Sequence, residues 1–393
     1  IMRTVLTTAT LFILSSAALV AAGSSCIAFD TSWNLLAFGF GGKDYNAGTS
    51  DQWGSGVAPA DITAQGRPPF DGNNTKCYLA EFFNAIYVLG ADSSNLSNIY
   101  IFNAATKSWS TQATTAGDFD PSSFEAIVDH DTNVIYALSH GELWSLDMQE
   151  LEAAQQSAIP WKDQGTAQIT TTNYDPVMAI AQNHIFFFGV PGVPAGNCMI
   201  FLVSFWQPTP QLFKSDSTDF PDSHGQAVSF FLDTGVQETI AFIPDDGSHT
   251  YLVNVETNTT QTVVGPSTVD ASATYFASTS ALVQLSSSGA VSWLPFNPNV
   301  TSDNSNAAWS PVKNLATVAQ QSGGGSSSAS VGGSGPAGAP ASKTASAGGS
   351  ATSGVVSGSN PSPSGSGSNG ASRDVTWGTG TVLGLVAIAF SLL

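Results

Sequence analysis

Positive charge is what this chain has least of. Lys and Arg together number 10 against 29 Asp and Glu in 393 residues, and arginine occurs only as Arg3, Arg67 and Arg373. Nucleic acids, phosphate esters and carboxylate ligands are gripped by Arg forks and basic patches, so this composition argues against such partners. Cysteine is nearly absent as well. Cys26, Cys77 and Cys198 form no C-x-x-C pair and show no Cys/His spacing suited to zinc. Helical periodicity is confined to Asp147–Ala158 (DMQELEAAQQSA), which predicts a short helical insert between strands. Long apolar runs occur at the two ends and not between them.

Each end carries a processing signal. Arg3, the apolar run Val5–Val20 and the small residues Ala21–Ser25 have the order of a secretory signal peptide, cut after Ala22 or Gly23. At the other end, the small residues Asn369-Gly370-Ala371 precede a ten-residue spacer, Ser372–Thr381. The apolar tail Val382–Leu393 follows. That is the pattern by which a GPI lipid replaces the tail, with Asn369 as the attachment residue. The tail is short for a bilayer-spanning helix and has no basic flank after it. The expected layout is a signal peptide over 1–23, a folded region over 24–320, a stalk over 321–372 and a GPI-attachment signal over 373–393. The stalk is almost wholly Ser, Gly, Ala, Thr and Pro. Such sequence buries too little apolar surface to offset its ordering entropy, so it reads as a disordered, O-glycosylated spacer.

The folded region holds 28 acidic residues and seven basic ones, a net charge of −21. A surface of that sign favours solubility and repels anionic membranes and walls. Four N-x-[S/T] acceptors, Asn73, Asn95, Asn258 and Asn299, are usable on the secretory route wherever they are exposed.

A pattern then repeats six times: a short apolar strand, a tight turn, a second apolar strand, a loop and an aromatic-rich third strand. Second strands begin at Leu35, Ile86, Ile135, Ile185, Ile240 and Leu282, in steps of 51, 49, 50, 55 and 42 residues. Third strands follow in five units, for example GELWSLD (Gly141–Asp147) and HTYLVNVETNTT (His249–Thr260), and Trp109, Trp161 and Trp309 close several units. The clearest unit is IYVLGADSSNLSNIYIFNAATKSW (Ile86–Trp109). With this strand–Gly–loop–aromatic strand–Thr-x-x-Trp order and a period near 50, the chain resembles the kelch-repeat β-propellers over Ser24–Asn314. More specifically, it resembles the propeller ectodomain of a GPI-anchored, fungal-type cell-surface protein.

The resemblance implies an all-β, kelch-like β-propeller of six visible blades. Seven are possible if Lys43–Lys76, where third and fourth strands are hard to see, conceals another. The match departs from the family where Gly90 and Gly189 are followed by Ala91 and Val190 instead of a second glycine.

The repeat also places the cysteines. Cys26 and Cys77 fall in first strands one repeat apart, so a disulfide between them would staple adjacent blades. Pairing of Cys77 with Cys198, or three buried thiols, are the alternatives.

Few residues point to chemistry. The elaborated segments Gly39–Trp53, Ser55–Lys76, Val190–Asn197 and Lys214–His224 are expected on the face of the 2–3 and 4–1 loops, the candidate ligand surface. There Asp216, Asp219, Asp222 and His224 offer oxygen and nitrogen donors, but at no known calcium spacing. Asp129-His130-Asp131 falls in an expected hairpin turn, where Asp is common. Copper-radical oxidases share this shape, yet His130, His140, His184, His224 and His249 do not match their two-Tyr, two-His set. Cys77 and Tyr78 are chain neighbours whose side chains point to opposite strand faces. No G-x-S-x-G elbow and no Asp-box of the sialidase type occurs.

No catalytic residue, metal site or cofactor is therefore assigned. The expected function is a non-catalytic module displayed on the outer membrane face or in the cell wall. Its partner would be an extracellular protein or glycan, with membrane contact through the GPI lipid and no nucleic acid. The alternative is an anchored hydrolase or copper-type oxidase with a divergent site.

Overall fold

The structure, a computed structural model, describes residues 24–202 and 205–319. The expected signal peptide, the stalk and the GPI signal with Asn369 lie outside the described residues.

Apolar β-branched and aromatic runs cut by Asp, Asn and Gly turns form antiparallel meanders here, and six of them close into a β-propeller. Blade 1 is β1 (Cys26–Phe29), β2 (Leu35–Phe40), β3 (Lys43–Asn46) and β4 (Ala60–Asp61). Blade 2 is β5 (Lys76–Ala80), β6 (Ala85–Leu89), β7 (Ile99–Asn103) and β8 (Ser108–Gln112), after which β9 (Thr114–Thr115) leaves the blade. Blade 3 is β10 (Glu125–Asp129), β11 (Val134–Ser139), β12 (Glu142–Asp147) and β14 (Lys162–Thr166), with β13 (Ile159–Pro160) preceding its last strand. Blade 4 is β15 (Val177–Ala181), β16 (His184–Phe188), β17 (Asn197–Leu202) and β18 (Phe205–Leu212), followed by β19 (Lys214–Ser215). Blade 5 is β20 (Gly225–Ser229), β21 (Thr239–Pro244), β22 (His249–Asn254) and β23 (Thr259–Val264). Blade 6 is β24 (Thr274–Ala277), β25 (Ala281–Leu285), β26 (Val291–Pro295) and β27 (Ser310–Pro311). Two short helices, α1 (Thr301–Ser305) and α2 (Lys313–Ala319), flank β27.

The first strand of every blade is innermost, and β1, β5, β10, β15, β20 and β24 contact one another in a closed ring around the axis. Burial follows from this arrangement. The apolar residues gather in clusters that lie between neighbouring blades, not in one central core. The unit-closing tryptophans serve these interfaces. Trp109 of blade 2 packs on Phe38 and Phe70 from blade 1 and its following loop, 5.2 and 6.2 Å between ring centres. Trp161 stacks at 3.9 Å on Phe119, in the loop that leads out of blade 2. The Trp309 indole donates to the Val264 carbonyl of blade 5 at 3.2 Å. Each tryptophan reaches back to the preceding blade.

Second strands end on glycine for a steric reason. Gly90 has φ +68°, and a Cβ there would lie 2.3 Å from the Asn74 carbonyl oxygen. Gly189 repeats the arrangement with φ +63° and the Ser223 carbonyl at 2.8 Å. No strand is exchanged to close the ring among the described residues. Instead the chain beyond β27 returns to blade 1, where the Lys313 amide donates to the Trp53 carbonyl at 2.9 Å and Asn314 Nδ2 to the Ala47 carbonyl at 2.8 Å. Two parallel pairings, β9 with β13 and β19 with β23, carry the end of one blade to the outer part of the next. The β19 pairing covers an otherwise unpaired edge of blade 5.

Three expectations need correction. The segment after Asp147 is not helical: residues 148–158 form turns and bends. Their backbone groups bond to the neighbouring blade and not to their own i−4 partners. Tyr87 Oη donates to the Leu151 carbonyl at 2.8 Å, the Ala154 amide donates to Ser110 Oγ at 2.9 Å, and the Gln155 amide to Gln112 Oε1 at 2.8 Å. Helix periodicity lost to these tertiary bonds. Lys43–Lys76 conceals no seventh blade, because it supplies β3 and β4 of the first. These strands were illegible because one is polar (KDYN) and the other two residues long. Finally, Gly39–Trp53 is not one long 2–3 loop. The chain turns at Gly41-Gly42, and the long connection is 47–59, a 3–4 loop on the opposite face.

Candidate functional site

The lone arginine of the described residues is committed to the fold. Arg67 forks onto Asp44, Nε to Oδ2 at 2.9 Å and Nη2 to Oδ1 at 2.7 Å, and Nη1 donates to the Gly42 carbonyl at 3.1 Å. Asp44 is fully buried and also accepts from the Gly39 amide at 3.0 Å. Arg67 lies over the Phe70 ring at 4.9 Å. It closes the first blade and leaves no fork for a ligand.

The four glycosylation acceptors are all exposed and outside strands. Asn73 lies in the loop between β4 and β5, and Asn95 between β6 and β7, both on the 2–3/4–1 face. Asn258 and Asn299 lie in 3–4 loops on the opposite face. The disulfide is formed between Cys26 and Cys77, and Cys198 is a buried free thiol. Cys77 and Tyr78 diverge as expected, since Tyr78 Oη donates to the Ala126 carbonyl of blade 3 at 3.1 Å.

The acidic loop does not converge. Asp216 accepts from the Ser217 hydroxyl and the Thr262 amide, Asp219 stands beside Gly196, and Asp222 is exposed. His224 pairs elsewhere, with Asp245 at 2.8 Å and Asp175 at 3.5 Å. His140 pairs with Asp120 at 2.8 Å, which together with the Ser122 bonds draws the Asp120 carboxyl down to about 2. His184 bonds the Gln182 carbonyl, and His249 lies against the Tyr251 ring. Among the described residues, no three His, Cys, Asp or Glu side chains gather as a metal set.

Two concave features remain. The first is a cavity of about 140 Å³ on the propeller axis, lined by the inner strands of blades 2 to 6 and by Cys26 of blade 1. One end is stoppered by aromatic rings. Phe231, 4% exposed, meets His130 at 4.7 Å, Trp33 at 5.4 Å and the nearly parallel Phe276 at 6.5 Å. Blade 5 can supply this stopper because its successive phenylalanines point apart: Phe230 stacks on Phe296 at 3.7 Å while Phe231 turns to the axis. The other end carries Lys76 and Glu125, an ion pair between blades 2 and 3 that keeps partial exposure.

His130 is the exceptional lining residue. Asp129 and Asp131 behave as turn residues, with the Thr132 hydroxyl and the Asp131 amide donating to the Asp129 carboxylate. The histidine between them turns its ring inward. Its Nδ1 is buried without a hydrogen-bond partner, although the residue as a whole keeps some exposed surface. Burial pushes the imidazole down to about 4, against smaller opposing effects from Asp131 and the Leu79 backbone. The ring is therefore neutral at physiological pH.

The second feature is a polar cleft of about 760 Å³ on the 2–3/4–1 face, formed by loops around blades 2, 3 and 4. Asn74, Ser122, Ser123, Thr171 and Thr172 supply amides and hydroxyls, and Tyr174 and Phe124 supply rings. Tyr174 holds its loop in place, since its hydroxyl donates to the Phe188 carbonyl at 2.9 Å and accepts from the Val177 amide at 3.2 Å. Glu125 lines the cleft and the cavity alike, on the side of the Lys76–Glu125 pair.

Sequence reading indicated this face but not these residues. Tyr174 and Thr171–Thr172 sit in a short 4–1 loop without motif, and nothing local marks His130 as turned toward the axis. Scarcity offered one signal: Lys76 is among the seven basic residues of the folded region, and it stands at the cavity mouth. No protein-family model matches the chain, and no curated protein matches it either.

Proposed function

We propose that this chain is a non-catalytic, kelch-like recognition module that binds a neutral glycan, held on the outer face of the cell by a GPI lipid. The cleft on the 2–3/4–1 face carries the reading. Its volume suits a few sugar units, and amides, hydroxyls and two aromatic rings line it. Neutral carbohydrates are bound through such polar groups, with ring faces packing on aromatic side chains, and they need no arginine. The acidic balance of the domain further disfavours anionic polysaccharides. The end signals supply the cell-surface location and the anchor.

A second reading is an anchored glycoside hydrolase. The carboxylates and the Asp120–His140 pair beside the cleft favour it, because such pairs support acid–base chemistry. One experiment separates the two. The mature glycoprotein is exposed to immobilised neutral oligosaccharides of glucose, mannose and N-acetylglucosamine, and the solution is assayed for released sugar. Retention without release is expected. Thr172→Trp, which fills the cleft from an exposed position, should weaken retention roughly tenfold or more, a loss of about 1.4 kcal/mol per decade. Release of sugar would establish the hydrolase instead, and absence of retention would remove the glycan reading.

A further inference from the structure

The axial cavity, which shares Glu125 with the cleft, is lined by a residue with a polar atom that the fold leaves unsatisfied. His130 Nδ1 is buried and unpartnered, in a residue that lines the axial cavity. Buried polar atoms nearly always find a partner, and an orphan one asks what occupies the space beside it. The neutral ring presents Nδ1 either as an acceptor or, in the other tautomer, as a donor. A hydroxyl group satisfies both. A metal ion is a poor occupant, because no further His, Cys, Asp or Glu side chains gather there among the described residues.

The cavity walls fit a hydroxylated ring better than a cluster of water. Phe231 and Phe276 offer apolar surfaces at its closed end, Tyr275 lines the wall, and Gln226 and Thr274 add polar groups. One water needs roughly 10–15 Å³ of such space, so about 140 Å³ admits a single small ring. Entry is from one side. Lys76 and Glu125 are partly exposed at the mouth, whereas Phe231 is enclosed at the far end.

We infer that the axial cavity receives the terminal sugar of the chain whose following units lie in the cleft, with the turn at Glu125 and a ligand hydroxyl on His130 Nδ1. This rests on the glycan reading and makes it specific: the protein recognises chain ends and not chain interiors.

The test offers the mature glycoprotein two surfaces. One carries neutral hexasaccharides of glucose, mannose or N-acetylglucosamine coupled through the reducing end. The other carries the same chains with the non-reducing end capped by a bulky group. Capping should weaken binding roughly tenfold or more. His130→Phe, which removes the Nδ1 atom, and Thr274→Trp, which occludes the mouth from an exposed position, should have the same effect on uncapped chains. Thr172→Trp should weaken what binding remains to capped chains. The His130 Nδ1 resonance should move on addition of the soluble uncapped hexasaccharide that binds. Should His130→Phe fail to fold, Thr274→Trp and the resonance still decide. Equal binding to both surfaces, with Thr274→Trp and the resonance unchanged, would overturn the inference and leave the cleft reading intact. Failure to bind either surface would remove both.

Discussion

Cys26 in the innermost strand of blade 1 is bonded to Cys77 in the innermost strand of blade 2, with their Cα atoms 6.0 Å apart and a sequence separation of 51. The bond staples a blade whose outer strand is only two residues long to its neighbour, on the wall of the axial cavity. Closing a loop of this length restricts the unfolded chain by about 4 kcal/mol in the chain-entropy account. The double variant Cys26→Ala/Cys77→Ala should therefore lose about 4 kcal/mol of unfolding free energy, read as a lower guanidinium midpoint. Non-reducing peptide mapping of the parent should yield the Cys26–Cys77 peptide and alkylation at Cys198 only after unfolding. A Cys77–Cys198 peptide would contradict the pairing.

Arg67 should prove more important to stability than its position in a loop suggests. Removing one partner of a buried pair strands the other charge and costs about 3–5 kcal/mol. Arg67→Met leaves the Asp44 carboxylate buried without its fork, so denaturant unfolding should show a loss of that order. Adding Asp44→Asn should recover part of it. If Arg67→Met is neutral, the pair does not hold the blade.

Acid should destabilise the propeller through His130. The His130 imidazole titrates at about 4 in the folded state, against about 6.5 when unfolded, so between these values the unfolded chain binds the extra proton. Stability is then complete above pH 6.5 and falls as pH drops toward 4, by about 3 kcal/mol in total at 1.36 kcal/mol per unit. Chemical denaturation at successive pH values reads this slope. His130→Phe should flatten it, and an unchanged slope in that variant would assign the pH dependence elsewhere.

Glycan occupancy should differ among the four acceptors although all are exposed. Asn95 Nδ2, the atom that would carry the sugar, already donates to Asp92 at 3.0 Å, and Asp92 is buried against the Tyr100 hydroxyl at 2.7 Å. Glycopeptide mapping should find Asn95 less occupied than Asn258 and Asn299, whose loops lie on the opposite face from the cleft. Full occupancy at Asn95 would show that its loop is still open when the glycan is transferred.

The linear chain carried the architecture because repetition is local information. Each hairpin, such as Cys77–Gly90, shows its period-two strands, its turn and its closing glycine within 14 residues, and six copies at a near-constant spacing leave little freedom for the fold. The same register placed Cys26 and Cys77 in equivalent strands, which was enough to favour their bond. Local signals failed where neighbours intervened. Residues 148–158 have helical periodicity, yet Ser110, Gln112 and Tyr87 of the adjacent blade take up their backbone groups or bond beside them. β4 is two residues long and has no sequence character of its own.

The face was legible in the sequence, but the residues that converge on the axis were not. His130, Phe231, Trp33 and Phe276 are spread over some 240 residues of sequence and meet only because ring closure brings one turn or inner strand from each of several blades to a common axis. Sequence determined that there would be blades and showed six of them; that Lys43–Lys76 completes the first blade and adds no seventh was decided by the tertiary structure. Which side chains would face one another across the axis, and which polar atom would be left there without a partner, was set by the closing of the ring, since side-chain convergence is a property of distance in space and not along the chain.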